Sequence, residues 1–160
     1  MSSDAERESR SLSSQGASLT SEPSEHASNP ANSLAGRRVA ICEDEGITQM
    51  QLRRILTRAG ARVVGIAGDG QSGLETVLRE RPDVVLMDIK MPVMDGLEAA
   101  RQIMAAYPVC IVMLTAYATE EYQREAEALG ASGYIVKPIT AQTLLPQVQE
   151  ALERFAERGE

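Results

Sequence analysis

Residues 83 to 88 read Asp-Val-Val-Leu-Met-Asp, four consecutive apolar residues between two carboxylates. A short run that is apolar on both faces is typical of a strand buried inside a parallel sheet, where helices cover both sides. Four similar runs lie before and after it, so we predict five strands. They are Arg38 to Cys42, Arg62 to Ala67, Asp83 to Asp88, Val109 to Leu114 and Gly133 to Val136.

The segments between and after these strands have a helical period and predict five helices. They are roughly Gly46 to Ala59, Gly70 to Glu80, Gly96 to Tyr107, Thr119 to Leu129 and Ala141 to Glu157. Gly60 and Gly130 stand where C-terminal helix caps are expected, and Thr140 stands where an N-cap is expected. A helix after every strand predicts an α/β fold, a doubly wound five-stranded parallel sheet. We expect strand order 2-1-3-4-5, the flavodoxin-like (βα)5 arrangement.

The composition changes sharply near residue 37. Residues 1 to 36 contain eleven Ser, only three Leu and no Ile, Val, Phe or Tyr. They cannot bury enough apolar surface to offset the entropy of ordering. We predict a disordered Ser-rich tail at residues 1 to 36 and a single domain at residues 37 to 160. The only histidine, His26, lies in the tail, so a His-based triad and a multi-histidine metal site are excluded.

Charge and hydropathy exclude several classes of partner. The net charge is -7, and residues 37 to 160 carry 14 basic against 18 acidic side chains, so direct nucleic-acid binding is not expected. No apolar run is long enough to span a membrane, and the N-terminus lacks the pattern of a secretory signal. Cys42 and Cys110 lie in short apolar runs and are predicted to be buried, reduced thiols. We therefore expect a cytoplasmic protein.

Polar residues follow the carboxyl ends of four predicted strands, the edge where ligands bind in doubly wound sheets. A single acid at such a position is more often a helix N-cap or a solvated side chain. That interpretation does not explain an acidic cluster, a Thr and a Lys on four strand ends of one edge. The residues are Glu43, Asp44 and Glu45 after the first strand, Asp88 on the third, Thr115 and Ala116 after the fourth, and Lys137 after the fifth.

These residue types predict a site for Mg²⁺ and a phosphoryl group. Crowded carboxylates repel one another unless a cation neutralises them, and an oxygen-only donor set suits a hard ion. Asp44 and Asp88 are the expected ligands, with Glu43 acting directly or through water. Asp88, at the centre of the edge, is the expected nucleophile that would form an acyl phosphate. Lys137 and the Thr115 hydroxyl are expected to bind phosphoryl oxygens.

Four stretches resemble the receiver domains of two-component response regulators, the CheY-like superfamily. The resemblance covers about residues 37 to 157, and the stretches have the order and spacing of that family. The stretches are Val39-Ala-Ile-Cys-Glu-Asp-Glu45, Asp88-Ile-Lys-Met-Pro-Val-Met-Asp-Gly96, Leu114-Thr-Ala116 and Tyr134-Ile-Val-Lys-Pro138.

The resemblance implies a phosphoacceptor signalling domain rather than an enzyme. A sensor histidine kinase or a histidine phosphotransfer protein would phosphorylate Asp88. The backbone carbonyl of Lys90 would join Glu43, Asp44 and Asp88 as a ligand of Mg²⁺. Ala116 would lie with Thr115 and Lys137 among the phosphoryl-binding residues.

The resemblance also implies a switch and a signalling surface. Thr115 and Tyr134 would be the switch pair, and Tyr134 would report phosphorylation on the face formed by the fourth helix, fifth strand and fifth helix. A downstream effector protein or a second copy of the chain would bind there. Lys90 and Tyr117 occupy positions that tune phosphoryl lifetime, and their bulk predicts a long-lived phosphoryl form. Val93 stands where many receivers have Gly and is expected to stiffen its loop.

Three other interpretations of this sequence are a receiver followed by an RNA-binding module, a pseudo-receiver scaffold and a phosphatase. The segments 114 to 117 and 141 to 148 look like receivers that precede RNA-binding antiterminator modules, but no such module follows them here, so we expect a stand-alone receiver. A non-phosphorylated pseudo-receiver scaffold is expected to lose acids, Thr or Lys at the site, and this sequence retains them. A haloacid-dehalogenase-like phosphatase would need an Asp two residues after the nucleophile, where this chain has Lys90.

Overall fold

A computed structural model describes residues 32 to 159, and in that part of the chain five strands alternate with five helices. The strands are β1 (Arg38–Cys42), β2 (Arg62–Ala67), β3 (Val84–Asp88), β4 (Cys110–Thr115) and β5 (Gly133–Val136). The helices are α1 (Gly46–Arg58), α2 (Gly70–Glu80), α3 (Gly96–Ala106), α4 (Glu120–Leu129) and α5 (Ala141–Gly159). The type and order of these elements agree with the sequence prediction, and their bounds differ from it by at most two residues.

The sheet is parallel throughout, and its strand order is β2-β1-β3-β4-β5. The predicted doubly wound fold and its order are therefore confirmed. Strand β3 lies in the middle, paired with β1 on one side and with β4 on the other, where Asp88 is opposite Leu114. Every residue of β3 and β4 is buried, as their continuous apolar sequence predicts for strands covered on both faces.

Two separate cores form because successive side chains of a strand point to opposite faces. Val84 and Leu86 lie in the core that α1 and α5 cover, whereas Val85 and Met87 lie in the core that α2, α3 and α4 cover. The apolar run of β3 therefore contributes equally to both layers. This double anchoring holds the carboxyl end of β3, and with it Asp88, at a defined place in the middle of one sheet edge.

The folded domain begins earlier than the sequence predicted. Leu34 is 1% exposed, and its backbone N–H donates to the Ala59 carbonyl at 2.9 Å. The Gln149 side chain donates to the Ser33 carbonyl at 3.0 Å. The predicted boundary at residue 36 is thus too late, because one Leu in a Ser-rich stretch shows no periodicity that would reveal its burial. Residues 1 to 31 lie outside the described residues, and their predicted disorder stays a prediction.

The helix ends have the predicted caps. Gly60 and Gly130 have φ angles of 90° and 105°, in the left-handed region that ends a helix, and the Thr140 hydroxyl accepts a hydrogen bond from the Thr143 N–H. Both cysteines are free and buried, as predicted, and burial raises the pKa of Cys42 to about 12 and that of Cys110 to about 11. Within residues 32 to 159 no helix has the length and apolar character needed to cross a bilayer.

Candidate functional site

The polar residues at the carboxyl edge of the sheet fall into two groups. Asp69, Asp95 and Thr119 are helix caps, since their side chains accept hydrogen bonds from the backbone N–H groups that open α2, α3 and α4. No such bond is made by the side chain of Glu45, which precedes α1. The capping role therefore accounts for one set of polar residues and leaves the acids after β1 and at the end of β3 to be explained.

Three of those acids form one cluster. Glu43, Asp44 and Asp88 each present a carboxylate oxygen, and the three oxygens lie within 4.8 Å of one another. Glu43 and Asp88 are 0% and 5% exposed, whereas Asp44 is exposed. The end of β1 and the end of β3 are neighbours in the sheet, which is why residues distant in sequence converge here. The predicted convergence of these acids is observed.

Lys137 connects the two buried acids. Its ammonium nitrogen lies 2.8 Å from Glu43 Oε1 and 3.4 Å from Asp88 Oδ2. The second Glu43 oxygen, Oε2, accepts the backbone N–H of Glu45 at 3.0 Å. Lys137 follows β5, its N–H donates to the Thr115 carbonyl at 2.7 Å, and its bond to Pro138 is cis. Both oxygens of Glu43 are thus engaged, and Asp44 and Asp88 are the acids more open to a ligand.

The electrostatics of the cluster reflect burial and an excess of negative charge. Burial raises the pKa of Asp88 above its ordinary value, Lys137 acts in the opposite direction, and the charge of Asp44 adds to the rise. Burial likewise raises the pKa of Glu43. Burial acts to lower the pKa of Lys137, but its contacts with Glu43 and Asp88 raise it. Three carboxylates against one ammonium leave a net negative site that a divalent cation would balance.

The cluster opens into a pocket of about 410 Å³. Seven of the nine residues predicted for the site line it, together with Glu45. The lining residues are Glu43, Asp44, Glu45, Asp88, Lys90, Ala116, Tyr117 and Lys137.

Thr115 and Tyr134 lie next to this pocket but do not line it. Thr115 is 1% exposed, and its hydroxyl accepts the backbone N–H of Tyr117 at 3.0 Å. The Tyr134 hydroxyl donates to the Tyr117 carbonyl at 3.1 Å, and burial raises the pKa of Tyr134. The predicted switch residues are therefore joined through the backbone of a third residue, in the loop between β4 and α4.

Lys90 has a partner that the sequence did not reveal. Its ammonium lies 5.6 Å from the ring centroid of Tyr117 and 5.6 Å from that of Tyr122, in the first turn of α4. Tyr117 had been singled out by its position after Thr115. Tyr122 had not, because no local pattern distinguishes it from any half-buried helix residue.

The loop between β3 and α3 passes very close to the site. A Cβ atom on Gly96 would lie 1.8 Å from the Asp88 carbonyl oxygen, so glycine is required at this position. The Gly96 N–H donates to the Ile89 carbonyl at 2.7 Å and closes the loop. Within it Val93 has φ 71° and is 83% exposed. A β-branched residue in the left-handed region is strained, which is more than the stiffening expected from replacing Gly.

Comparison with known proteins gives one consistent result. A family model described as the response regulator receiver domain matches residues 39–149. The chain is 40% identical over 127 residues to the transcriptional regulatory protein PdtaR of Mycobacterium tuberculosis, across 79% of this chain and 62% of that protein. It is 36% identical over 122 residues to the chemotaxis protein CheY of Thermotoga maritima, across 76% of this chain and 98% of that protein. The chain thus spans less than two thirds of PdtaR.

Solved structures agree with these relatives. A CheY-like receiver domain protein from Methanospirillum hungatei superposes with a TM-score of 0.72 at 29% identity, over 78% of this chain and 100% of that one. A CheX-CheY-BeF3-Mg complex from Borrelia burgdorferi gives a TM-score of 0.69 at 29% identity, over 71% of this chain and 87% of the matched chain.

Proposed function

The chain belongs to the response-regulator receiver-domain family, and on that premise we propose that Asp88 accepts a phosphoryl group from a histidine kinase or a histidine phosphotransfer protein. The phosphorylated domain then signals through protein contacts. It is a phosphoacceptor, whose own chemistry is limited to taking up and slowly losing the phosphoryl group.

One observation carries the proposal. Asp88 is a buried carboxylate at the end of the central strand, it faces an open pocket, and it lies 3.4 Å from a lysine that two buried acids share. Helix capping does not explain its position, because Asp95 caps the helix that follows. A buried, charged group that does not stabilise the fold is most economically explained by a reaction at that group.

The reaction assigns a role to each neighbouring residue. An Asp88 carboxylate oxygen bonds to phosphorus, the bond from phosphorus to the donor histidine nitrogen breaks, and its electron pair stays on that nitrogen. Once phosphorylated, Asp88 no longer carries the carboxylate charge that attracts Lys137. The ammonium of Lys137 then neutralises the charge of a phosphoryl oxygen. The backbone N–H of Ala116, which lines the pocket, and the Thr115 hydroxyl bind further phosphoryl oxygens.

The site also fits Mg²⁺. Its donor set contains only oxygens, and three carboxylates lie within 4.8 Å of one another with one ammonium beside them. Asp44, Asp88 and the backbone carbonyl of Lys90 would hold the ion, with Glu43, whose two oxygens are engaged by Glu45 and Lys137, acting through water. When bound, Mg²⁺ would neutralise charge on the carboxylates and the phosphoryl group. Asp44 is the exposed member of the cluster, so its carboxylate is the one that reaches the ion with least rearrangement.

The switch follows from bonds that the domain already makes. The Thr115 hydroxyl does not line the pocket, so it must move toward the pocket to donate to a phosphoryl oxygen. Because its oxygen accepts the Tyr117 N–H and the Tyr117 carbonyl accepts from Tyr134, this movement rearranges the loop after β4. Tyr134 lines a groove of about 370 Å³ formed by α4, β5 and α5, together with Gln123, Gln147 and Arg154. An effector protein, or a second copy of the chain, binds this face in the phosphorylated state.

The proposal places the domain in the cytoplasm, in keeping with its two reduced, buried thiols. Its partners are proteins rather than nucleic acid or membrane, since residues 37 to 160 carry more acidic than basic side chains. The relative PdtaR is named as a transcriptional regulator, but this chain spans 62% of it, and we assign no such role to the receiver domain itself.

Mass spectrometry of the intact protein tests the proposal. The chain is incubated with acetyl phosphate and Mg²⁺, with an EDTA control, and wild type is compared with Asp88→Asn and Asp69→Asn. Asp69 is a matched control, an aspartate at the same edge that caps α2 and would be replaced by an equally good cap. One added phosphoryl group is expected in wild type and Asp69→Asn, and none in Asp88→Asn or without Mg²⁺.

The same experiment separates the alternative. A pseudo-receiver scaffold would gain no phosphoryl group and would show no Mg²⁺-dependent binding of beryllofluoride. Retention of Glu43, Asp44, Asp88, Thr115 and Lys137 argues against that function, because a scaffold has no need of a buried acidic cluster.

A further inference from the structure

Lys90 contacts two aromatic side chains that belong to two other parts of the molecule. It lies two residues after Asp88, and its ammonium is 5.6 Å from the ring centroids of both Tyr117 and Tyr122. Such distances are within the range of cation–π attraction. Tyr117 belongs to the loop after β4, and Tyr122 belongs to the first turn of α4. A single cation therefore joins the phosphoacceptor loop, the loop after β4 and α4. We call Lys90, Tyr117 and Tyr122 the lysine cage.

Within the cage, Tyr122 is the fixed member. It is half-buried against the core on the α3 and α4 side, and its N–H donates to the Thr119 hydroxyl that caps α4. Tyr117 is 52% exposed and Lys90 is exposed, so neither is held by packing alone. Lys90 has no carboxylate oxygen within 4.0 Å among residues 32 to 159.

This inference rests on the proposed phosphorylation of Asp88. We propose that Tyr122 is a positioning residue, which holds Lys90 across the mouth of the Asp88 pocket. In that position Lys90 slows the attack of water on the phosphoryl group. In hydrolysis a water oxygen bonds to phosphorus, the bond from phosphorus to the Asp88 oxygen breaks, and its electron pair returns to the carboxylate. Both protons of the water leave with inorganic phosphate.

The geometry explains why the position of Lys90 affects this step. Attack must come roughly opposite the breaking bond, hence through the pocket, whose lining includes Lys90 and Tyr117. A lysine on a flexible four-carbon stem does not block that path unless something holds it. The Tyr122 ring does so from a helix that contributes no residue to the pocket lining.

The test measures the half-life of the phosphorylated protein after removal of acetyl phosphate, in the presence of Mg²⁺. We expect Tyr122→Leu to shorten it about two- to fivefold, the factor that corresponds to an exposed cation–π contact. Tyr122→Phe keeps the ring and should stay within about twofold of wild type. Tyr107→Leu is the matched control, because Arg81 lies 4.9 Å over the Tyr107 ring at the opposite edge of the sheet. It should leave the half-life unchanged.

A double-mutant cycle separates positioning from a general structural effect. In a Lys90→Met background, Tyr122→Leu should no longer change the half-life. An equal shortening in both backgrounds would overturn the proposal, and so would a half-life in Tyr122→Leu equal to wild type.

A second readout needs no phosphorylation. The ring currents of Tyr117 and Tyr122 should shift the Lys90 side-chain proton resonances upfield, and Tyr122→Leu should reduce that shift. If wild type takes up no phosphoryl group, the proposed function fails, and with it the control of hydrolysis. If wild type is phosphorylated but the Lys90 resonances lie at their ordinary positions, the lysine cage alone is wrong.

Discussion

Val93 provides a direct test of the backbone geometry beside the site. Its φ of 71° lies in the left-handed region, and its side chain is 83% exposed. That conformation costs a residue with a Cβ about 1–2 kcal/mol, and glycine avoids it. Glycine in turn lowers the free energy of unfolding by about 0.4–1 kcal/mol, because it gives the unfolded chain more conformational freedom. Because the Val93 side chain makes little contact, Val93→Gly should raise the free energy of unfolding by about 0.5–1 kcal/mol.

Thermal and urea unfolding followed by circular dichroism measure this change. A gain of about 0.5–1 kcal/mol corresponds to a rise in Tm of about 2–4 °C for a domain of this size. Val136→Gly is the matched control, since Val136 is a 40% exposed valine in extended β5. It should lower stability by at least about 0.5 kcal/mol, because glycine there adds unfolded-state entropy and removes the covered part of the side chain. If both substitutions destabilise equally, the loop does not store strain at Val93.

Three further predictions concern the site. Burial raises the pKa of Asp88, so the folded state binds the Asp88 proton more tightly than the unfolded state does. The contribution of Asp88 to stability therefore falls as pH rises above the unfolded pKa of about 4. Scanning calorimetry should show that Asp88→Asn raises Tm by about 2–4 °C at pH 7 without Mg²⁺, and by less at pH 4 or with Mg²⁺ present. Lys137→Met leaves Glu43 and Asp88 as buried carboxylates without their cation. Urea titration should show that the free energy of unfolding falls by about 3 kcal/mol at pH 7, and by less at pH 4.5, because protonation of the acids removes their charge. An equal loss at both pH values would contradict the electrostatic explanation. Gly96→Ala would bring a Cβ within 1.8 Å of the Asp88 carbonyl and should destabilise by about 2 kcal/mol or more and abolish phosphorylation, whereas Gly46→Ala, with nothing within 4 Å, should be tolerated.

The sequence predicted the fold closely because its signals are local. Five short apolar runs alternate with segments of helical period, and this order allows few arrangements other than a doubly wound parallel sheet. Once the sheet is parallel, all carboxyl ends lie at one edge. The approach of Glu43, Asp44, Asp88 and Lys137 could therefore be predicted without coordinates. Leu34 was misplaced for the converse reason, since a single buried residue has no period to detect.

The details of the site were not accessible in this way. The sequence did not indicate that Lys137 lies closer to Glu43 than to Asp88, or that the Thr115 hydroxyl is bonded to the Tyr117 N–H. Both depend on side-chain rotamers and on distances of a few tenths of an ångström. The contacts of Lys90 with Tyr117 and Tyr122 join two loops and a helix whose relative placement is set by packing of the core.

By itself, then, the sequence determined the order of the elements, the sheet topology and the identity of the residues at its carboxyl edge, because strand periodicity and short-range capping act within a few residues. Only the tertiary structure decided which acids share the ammonium of Lys137, which backbone group the Thr115 hydroxyl contacts, and which tyrosine rings lie beside Lys90. These contacts join parts of the chain that are far apart in sequence, and their geometry depends on how the two cores pack against the sheet.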